Sequence, residues 1–118
     1  MKTYLYTYTE EGPIGAKFLF HNDLPPQMQR DIMSAFKQAG GIKIQTVVGG
    51  APIAKIVFSI WKTPGGYRYW LDDPRTKAYL DHRTNHNAAQ NIRSRVSGPV
   101  QHEFTGHMPV DAENQNVE

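Results

Sequence analysis

Two short turns constrain this chain more than any other feature. Gly49-Gly50-Ala51-Pro52 separates the alternating run 42–48 from the run 53–61, and Thr63-Pro64-Gly65-Gly66 separates that run from 67–71. A parallel return needs a crossover of about a dozen residues, so turns this short demand antiparallel neighbours. Ile42, Ile44, Thr46 and Val48 share one face of the first run, and Ala54, Ile56, Phe58 and Ile60 share one face of the second. Residues 67–71 then read as a further short strand.

The N-terminal part reads the same way. Residues 3–9, Thr-Tyr-Leu-Tyr-Thr-Tyr-Thr, alternate strictly in strong strand formers. Glu10-Glu11-Gly12-Pro13 punctuates the chain, and residues 14–20 alternate again with Ala16, Phe18 and Phe20 together. The pair predicts an antiparallel hairpin. Asn22-Asp23 before Pro25-Pro26 is a helix-start signal, because proline in a first turn loses no hydrogen bond. Met28, Ile32, Met33, Phe36 and Ala39 follow on one helical stripe, and Gly40-Gly41 ends it.

Asp73 and Pro74 open a second helical region as N-cap and first-turn residue. A single seam through Ala78, His82, Asn85, Ala89, Ile92 and Val96 would suit one long helix. Thr84-Asn85-His86-Asn87, however, is poor in helix propensity, and Asn87 with Gln90 resembles a capping box. The reading is two helices, about 74–83 and 88–97, closed by Ser97-Gly98-Pro99, with an edge strand at 100–104. The expected fold class is α+β. It is a single domain over residues 1–104 with a largely antiparallel five-stranded sheet, in the order β-β-α-β-β-β-α-α, and helices on one face. Residues 105–118 are expected to form a flexible acidic tail.

Charge follows that division. Residues 105–118 hold Asp111, Glu113 and Glu118 with no lysine or arginine, whereas the rest has 13 basic against 8 acidic residues. A modestly basic body suits an anionic partner, although a mixed solvated surface has the same composition. No apolar run approaches the length of a membrane span, and no signal-peptide core follows Met1-Lys2. The absence of cysteine excludes thiol chemistry and fits a reducing compartment, so the expected location is cytoplasmic.

The densest chemistry lies in residues 84–97. Asn and Gln can pair base edges and arginine can pair guanine or phosphate. On a helix over 88–97, Ala88, Ile92 and Val96 would point inward and leave Gln90, Asn91, Arg93 and Arg95 outward, with Arg83, Asn85 and His86 reaching from the preceding turn. Those seven residues form the expected binding surface. The expected partner is nucleic acid or a nucleic-acid-handling protein, and the expected function is that of a small non-enzymatic binding protein or inhibitor of phage or mobile-element type. No cofactor motif is present: neither glycine-rich turn matches a phosphate-binding loop or dinucleotide fingerprint.

Two alternatives use other residues. Tyr4, Tyr6 and Tyr8 share a strand face, and Trp61, Tyr67, Tyr69 and Trp70 cluster nearby. If exposed, they would form a protein interface or a homodimer contact; if buried, they would be core. Separately, Asp81-His82 followed by Asn87-Ala88-Ala89-Gln90-Asn91-Ile92-Arg93 resembles the end of an HNH-type nuclease finger. The resemblance covers about a dozen residues and implies a metal-dependent nuclease with His82 as metal ligand or base. It departs in its short His-to-Asn loop, in Ile92 where leucine is usual, and in a helical reading where a strand is needed. His82 and His86 also stand one helical turn apart, with His102, Glu103 and His107 further on, a spacing that zinc sites use but that surface histidines share.

Overall fold

The computed structural model describes residues 1–50 and 53–106. The elements are β1 (Lys2–Glu11), α1 (Pro26–Gln38), β2 (Gly41–Gly49), β3 (Ala54–Trp61), α2 (Gly66–Asp72), α3 (Pro74–Gln90) and β4 (Arg93–Glu103), with a 3-10 turn at His21–Asp23 before α1. The sheet runs β2-β3-β1-β4 and every pairing is antiparallel. The α+β class and the antiparallel sheet are as the turn lengths require, but the sheet has four strands, not five. Split β-α-β connectivity, with β3 lying between β1 and β2, is that of a ferredoxin-like fold whose second crossover helix is broken into α2 and α3.

Each departure from the sequence reading has a local cause. Residues 14–20 form no strand because β1 is central: β3 occupies one edge and β4 the other, so no ladder is left for a hairpin partner. The chain instead turns at Pro13, whose carbonyl accepts from Ala16 N, and passes through Gly15 at φ 87°. Residues 67–71 are helical because Tyr67, Trp70 and Leu71 also fit a helical stripe, and that stripe packs on Ala35, Phe36 and Trp61. Arg68 and Tyr69 are left facing water. An apolar run of this length fits both periods, and packing decides between them.

The break expected at 84–87 does not occur, and α3 is continuous from Pro74 to Gln90. Tertiary contacts override the weak propensity. Asn87 is buried and donates through Nδ2 to Glu10 Oε2 at 2.9 Å, and the His86 ring nitrogen meets the Lys17 carbonyl at 2.6 Å. The helix stops at Asn91, which takes the left-handed conformation at φ 56°, ψ 36° while Ile92 N returns to the Asn87 carbonyl. Asparagine tolerates that region where most side chains do not. Ile92 is buried at the junction, and the chain then runs as β4, so the helix expected over 88–97 is a helix end followed by an edge strand. Asp73 caps α3 as expected, its side chain accepting from Arg75 N.

Helices α1, α2 and α3 share one side of the sheet. Ile32, Ala35 and Phe36 are the buried residues of α1, with Met28, Met33 and Ala39 partly buried beside them. The tyrosine stripe points into the same layer, since Tyr6 stacks on Tyr67 at 4.2 Å and Tyr8 is buried. The stripe is therefore core, which removes it as an open docking face. Beyond β4, Phe104 N donates to Met1 O, and Lys43 Nζ on the far edge strand reaches the Gly106 carbonyl at 3.4 Å. The start of the expected tail thus turns back toward β2; residues 107–118 of that expectation lie outside the described residues. No helix among the described residues is long and apolar enough to cross a membrane.

Candidate functional site

Register places unusual residues in the layer between sheet and helices. Along β1, Tyr4, Tyr6, Tyr8 and Glu10 share the face directed at the helices, and their direct partners on β3 are Trp61, Ser59, Val57 and Lys55. Lys55 and Glu10 are thus opposite each other and almost wholly buried. Lys55 Nζ stands 3.7 Å from Glu10 Oε1 and also donates to the Leu19 carbonyl. The other Glu10 oxygen accepts from Tyr8 Oη at 2.5 Å and from Asn87 Nδ2 at 2.9 Å. Buried charges are tolerated when paired and hydrogen-bonded; here Oε2 is hydrogen-bonded twice, whereas Oε1 meets Lys55 by charge attraction alone, with no hydrogen bond among the described residues.

Beside the pair lies a cleft. Its sheet floor is formed by Tyr8, Val57 and Thr46, which stand opposite one another on β1, β3 and β2. Ile44 and Ser59 extend the floor on one side and Lys55 on the other, while Met33, Trp70 and Arg83 contribute from the helices. The cavity volume is about 60 Å³. On a scale where an engineered cavity of ~150 Å³ admits benzene, this is room for several waters or for the head of a ligand whose remainder lies outside the enclosed space.

Arg83 is the electrostatic centre of this cleft. Its Cζ lies 4.2 Å from the Tyr8 ring centroid and 5.4 Å from that of Tyr79. Among the described residues it has no carboxylate within ion-pair distance. Tyr79 accepts a hydrogen bond from Arg83, and Glu10, which faces Lys55, also attracts it through space, so among the described residues Lys55, Glu10 and Arg83 together carry one net positive charge. Burial pushes the Tyr8 phenol well above its ordinary value; Arg83 pulls it down, and the hydrogen bond to Glu10 adds to the rise. Tyr8 therefore stays a neutral hydrogen-bond donor at physiological pH.

That shift carries a pH signature. A phenol whose folded value is raised contributes stability that is complete below the unfolded value, ~10, and is lost as pH rises beyond it. Tyr8→Phe should therefore melt with a shallower loss above pH ~10 than the parent protein. Parallel curves for the two proteins would mean that the Tyr8 hydroxyl is not held as described.

The seven residues expected to form one surface are dispersed. Arg83 enters the cleft. His86 and Gln90 clasp the loop after β1, with Gln90 Oε1 accepting from Lys17 N at 3.0 Å. Asn85 is exposed on α3 and Asn91 caps it, while Arg93 and Arg95 stand exposed on β4. Arg95 Nη1 pairs with Glu11 Oε1 at 2.8 Å across the strands. Among the described residues, no three His, Asp or Glu side chains come together in a way that could hold a metal ion.

The sequence reading places Tyr8 on an aromatic strand face and Thr46 on a strand face, but it does not single out Glu10, Lys55 or Ser59 as site residues. A signal existed: Glu10 and Lys55 each continue the alternation of an aromatic face, Tyr4-Tyr6-Tyr8 in one case and Trp61 in the other. Charged residues in phase with a buried face are candidates for a buried pair.

No family model and no curated protein matches this chain. Among solved structures it is similar to a protein of unknown function from Nitrosomonas europaea, 17% identical over 90% of this chain and 93% of that one, with a TM-score of 0.44. It is also similar to a Mycobacterium tuberculosis protein, 8% identical over 82% of this chain and 95% of that one, with a TM-score of 0.39.

Proposed function

We propose that this protein binds a small organic anion, a short-chain carboxylate, in the cleft between the sheet and its helices. The observation that carries the reading is Arg83: a partly buried guanidinium stacked on Tyr8 with no carboxylate within ion-pair distance among the described residues. Guanidinium groups match carboxylates with two parallel hydrogen bonds, and the low dielectric of a cleft strengthens them. The apolar walls at Ile44, Val57 and Met33 suit an alkyl chain, and the volume limits how much of it is enclosed. A nucleic-acid or protein partner would instead be met by exposed β4, through Arg93 and Arg95.

Calorimetric titration of the full chain with butyrate tests the proposal. The wild type should bind, and Arg83→Gln should weaken binding ~30-fold or more, because removing one member of a desolvated charge pair costs at least ~2 kcal/mol. Equal affinity of the two proteins would reject the cleft reading. If neither protein binds butyrate and the wild type binds an oligonucleotide at low salt, with Arg93→Ala reducing the salt slope, the partner is nucleic acid.

A further inference from the structure

The two edges of the sheet differ. On β2, one edge, no residue from Gly41 to Val48 is exposed. On β4, the other edge, every residue but His102 is exposed. β4 pairs with β1 on one side, and among the described residues no strand lies on its other side. In an antiparallel ladder alternate residues turn N–H and C=O away from their partner, so a bare edge offers a row of unused donors and acceptors.

That row divides in two. The register with β1 shifts between Ser97 and Val100, where Gly98-Pro99 pass Tyr6, and Pro99 has no N–H to offer. Residues 93–97 are the longer uninterrupted stretch, about the length of an ordinary strand. Register fixes their chemistry. Arg93 and Arg95 stand opposite Glu11 and Thr9 on the face away from the helices, while Ser94 and Val96 stand opposite Glu10 and Tyr8 on the helix side. Arg95 pairs with Glu11, but with side chains 71% and 42% exposed the pair is worth little and exchanges readily. Arg93 has no carboxylate within ion-pair distance among the described residues. Glu11, Arg93 and Arg95 thus carry one net positive charge, and with Ser94 they line a shallow surface hollow. Val96 is 51% exposed on the opposite face.

We propose that residues 93–97 are a docking edge for an extended acidic segment of another protein, which joins the sheet as a strand beyond β4. The proposal is independent of the cleft reading. Main-chain hydrogen bonds supply the affinity of an added strand, and side chains at alternate positions supply its specificity. Facing residues of adjacent strands share a face about 5 Å apart. The incoming strand therefore meets Arg93 and Arg95 with acidic residues at alternate positions, and Val96 with an apolar residue between them. A second copy of the same stretch does not meet that condition. Paired antiparallel with itself it sets Arg95 against Arg95, and like charges directly opposite destabilise a strand pair.

The probe is a fluorescein-labelled peptide that alternates glutamate and valine over five residues, titrated with the full chain by anisotropy. The wild type should bind it and ignore the same peptide with lysine in place of glutamate. Arg93→Ala with Arg95→Ala should weaken binding ~3- to 30-fold and leave the melting temperature unchanged, since both side chains are exposed. Only alternate residues of an added strand bond to their neighbour. Methylating the valine nitrogens in one peptide and the glutamate nitrogens in another should therefore have unequal effects, one losing ~10-fold or more and the other keeping its affinity. Equal effects of the two methylations mean charge attraction without strand addition and overturn the proposal. So does a folded double variant that binds like the wild type, or a wild type that binds no peptide. A single-stranded oligonucleotide that binds where the peptide does not, and is lost on the same two substitutions, assigns the arginines to nucleic acid and overturns it as well.

Discussion

Replacing Lys55 with methionine should cost ~3–5 kcal/mol of folding stability at neutral pH, one of the two largest effects expected from a single substitution in this chain. Lys55 and Glu10 are 2% and 0% exposed and stand on the same rung of adjacent strands. At their 3.7 Å separation the attraction is on the order of 4 kcal/mol for an effective dielectric near 20. Methionine preserves the apolar stem and deletes the charge, so Glu10 keeps Tyr8 and Asn87 as donors but loses its counter-ion. The double variant Lys55→Met/Glu10→Gln should recover a large part of the loss, since it removes the stranded charge as well. Urea melts of the single and double variants measure the coupling. Strictly additive losses would mean that the two groups do not act as a buried pair.

Phe36→Ala should cost a similar ~3–5 kcal/mol, for an unrelated reason. Phe36 is 2% exposed and lies edge-on to Trp61 at 4.8 Å and to Trp70 at 5.7 Å, joining α1 to β3 and α2. Its ring also occupies the space over Gly41, where an added Cβ would come within 2.5 Å of it. Alanine would leave a cavity walled by two tryptophans that cannot collapse into it, because Trp70 is itself tied through Nε1 to the Ile32 carbonyl. A denaturant midpoint shift equivalent to less than ~1 kcal/mol would contradict this picture of the core.

Much of this architecture is legible in the chain, and what escapes does so for physical reasons. The stripe Met28-Ile32-Phe36 leaves the period of a buried helical face in the sequence, and the alternation in 3–9 and 42–48 leaves that of a strand; in 53–61 the strand is legible but its helix-facing side is Lys55, Val57, Ser59 and Trp61, not the more apolar Ala54, Ile56, Phe58 and Ile60. Residues 67–71 do not declare themselves, because Tyr67, Trp70 and Leu71 satisfy a strand and a helix equally until Phe36 and Trp61 lie opposite them. The end of α3 is hidden for another reason. Its stop is an asparagine in the left-handed conformation, and Asn91 is one of several asparagines in a run that looks uniformly polar. The continuity of α3 through Thr84–Asn87 depends on Glu10 and Lys17, more than sixty residues away in the chain.

The cleft is less legible still. Arg83 stands out by its charge, but that no carboxylate among the described residues lies within ion-pair distance of it becomes visible only once Glu10 is seen to face Lys55. Thr46 looks like any threonine in a strand until its hydroxyl is found without a partner. Arg93 and Arg95, which look like one face of a helix beside Gln90 and Asn91, fall on an extended strand where alternate residues share a face.

The central claim is that Arg83 makes the cleft an anion site, and a side-chain-resolved magnetic resonance titration of the full chain with butyrate addresses it most directly. The account predicts that the Arg83 guanidinium signal and the methyl signals of Val57, Ile44 and Thr46 shift together and saturate on one binding curve, with Arg93 and Arg95 unmoved. Shifts confined to Arg93, Arg95 and the end of α3, with the cleft signals fixed throughout, would contradict it.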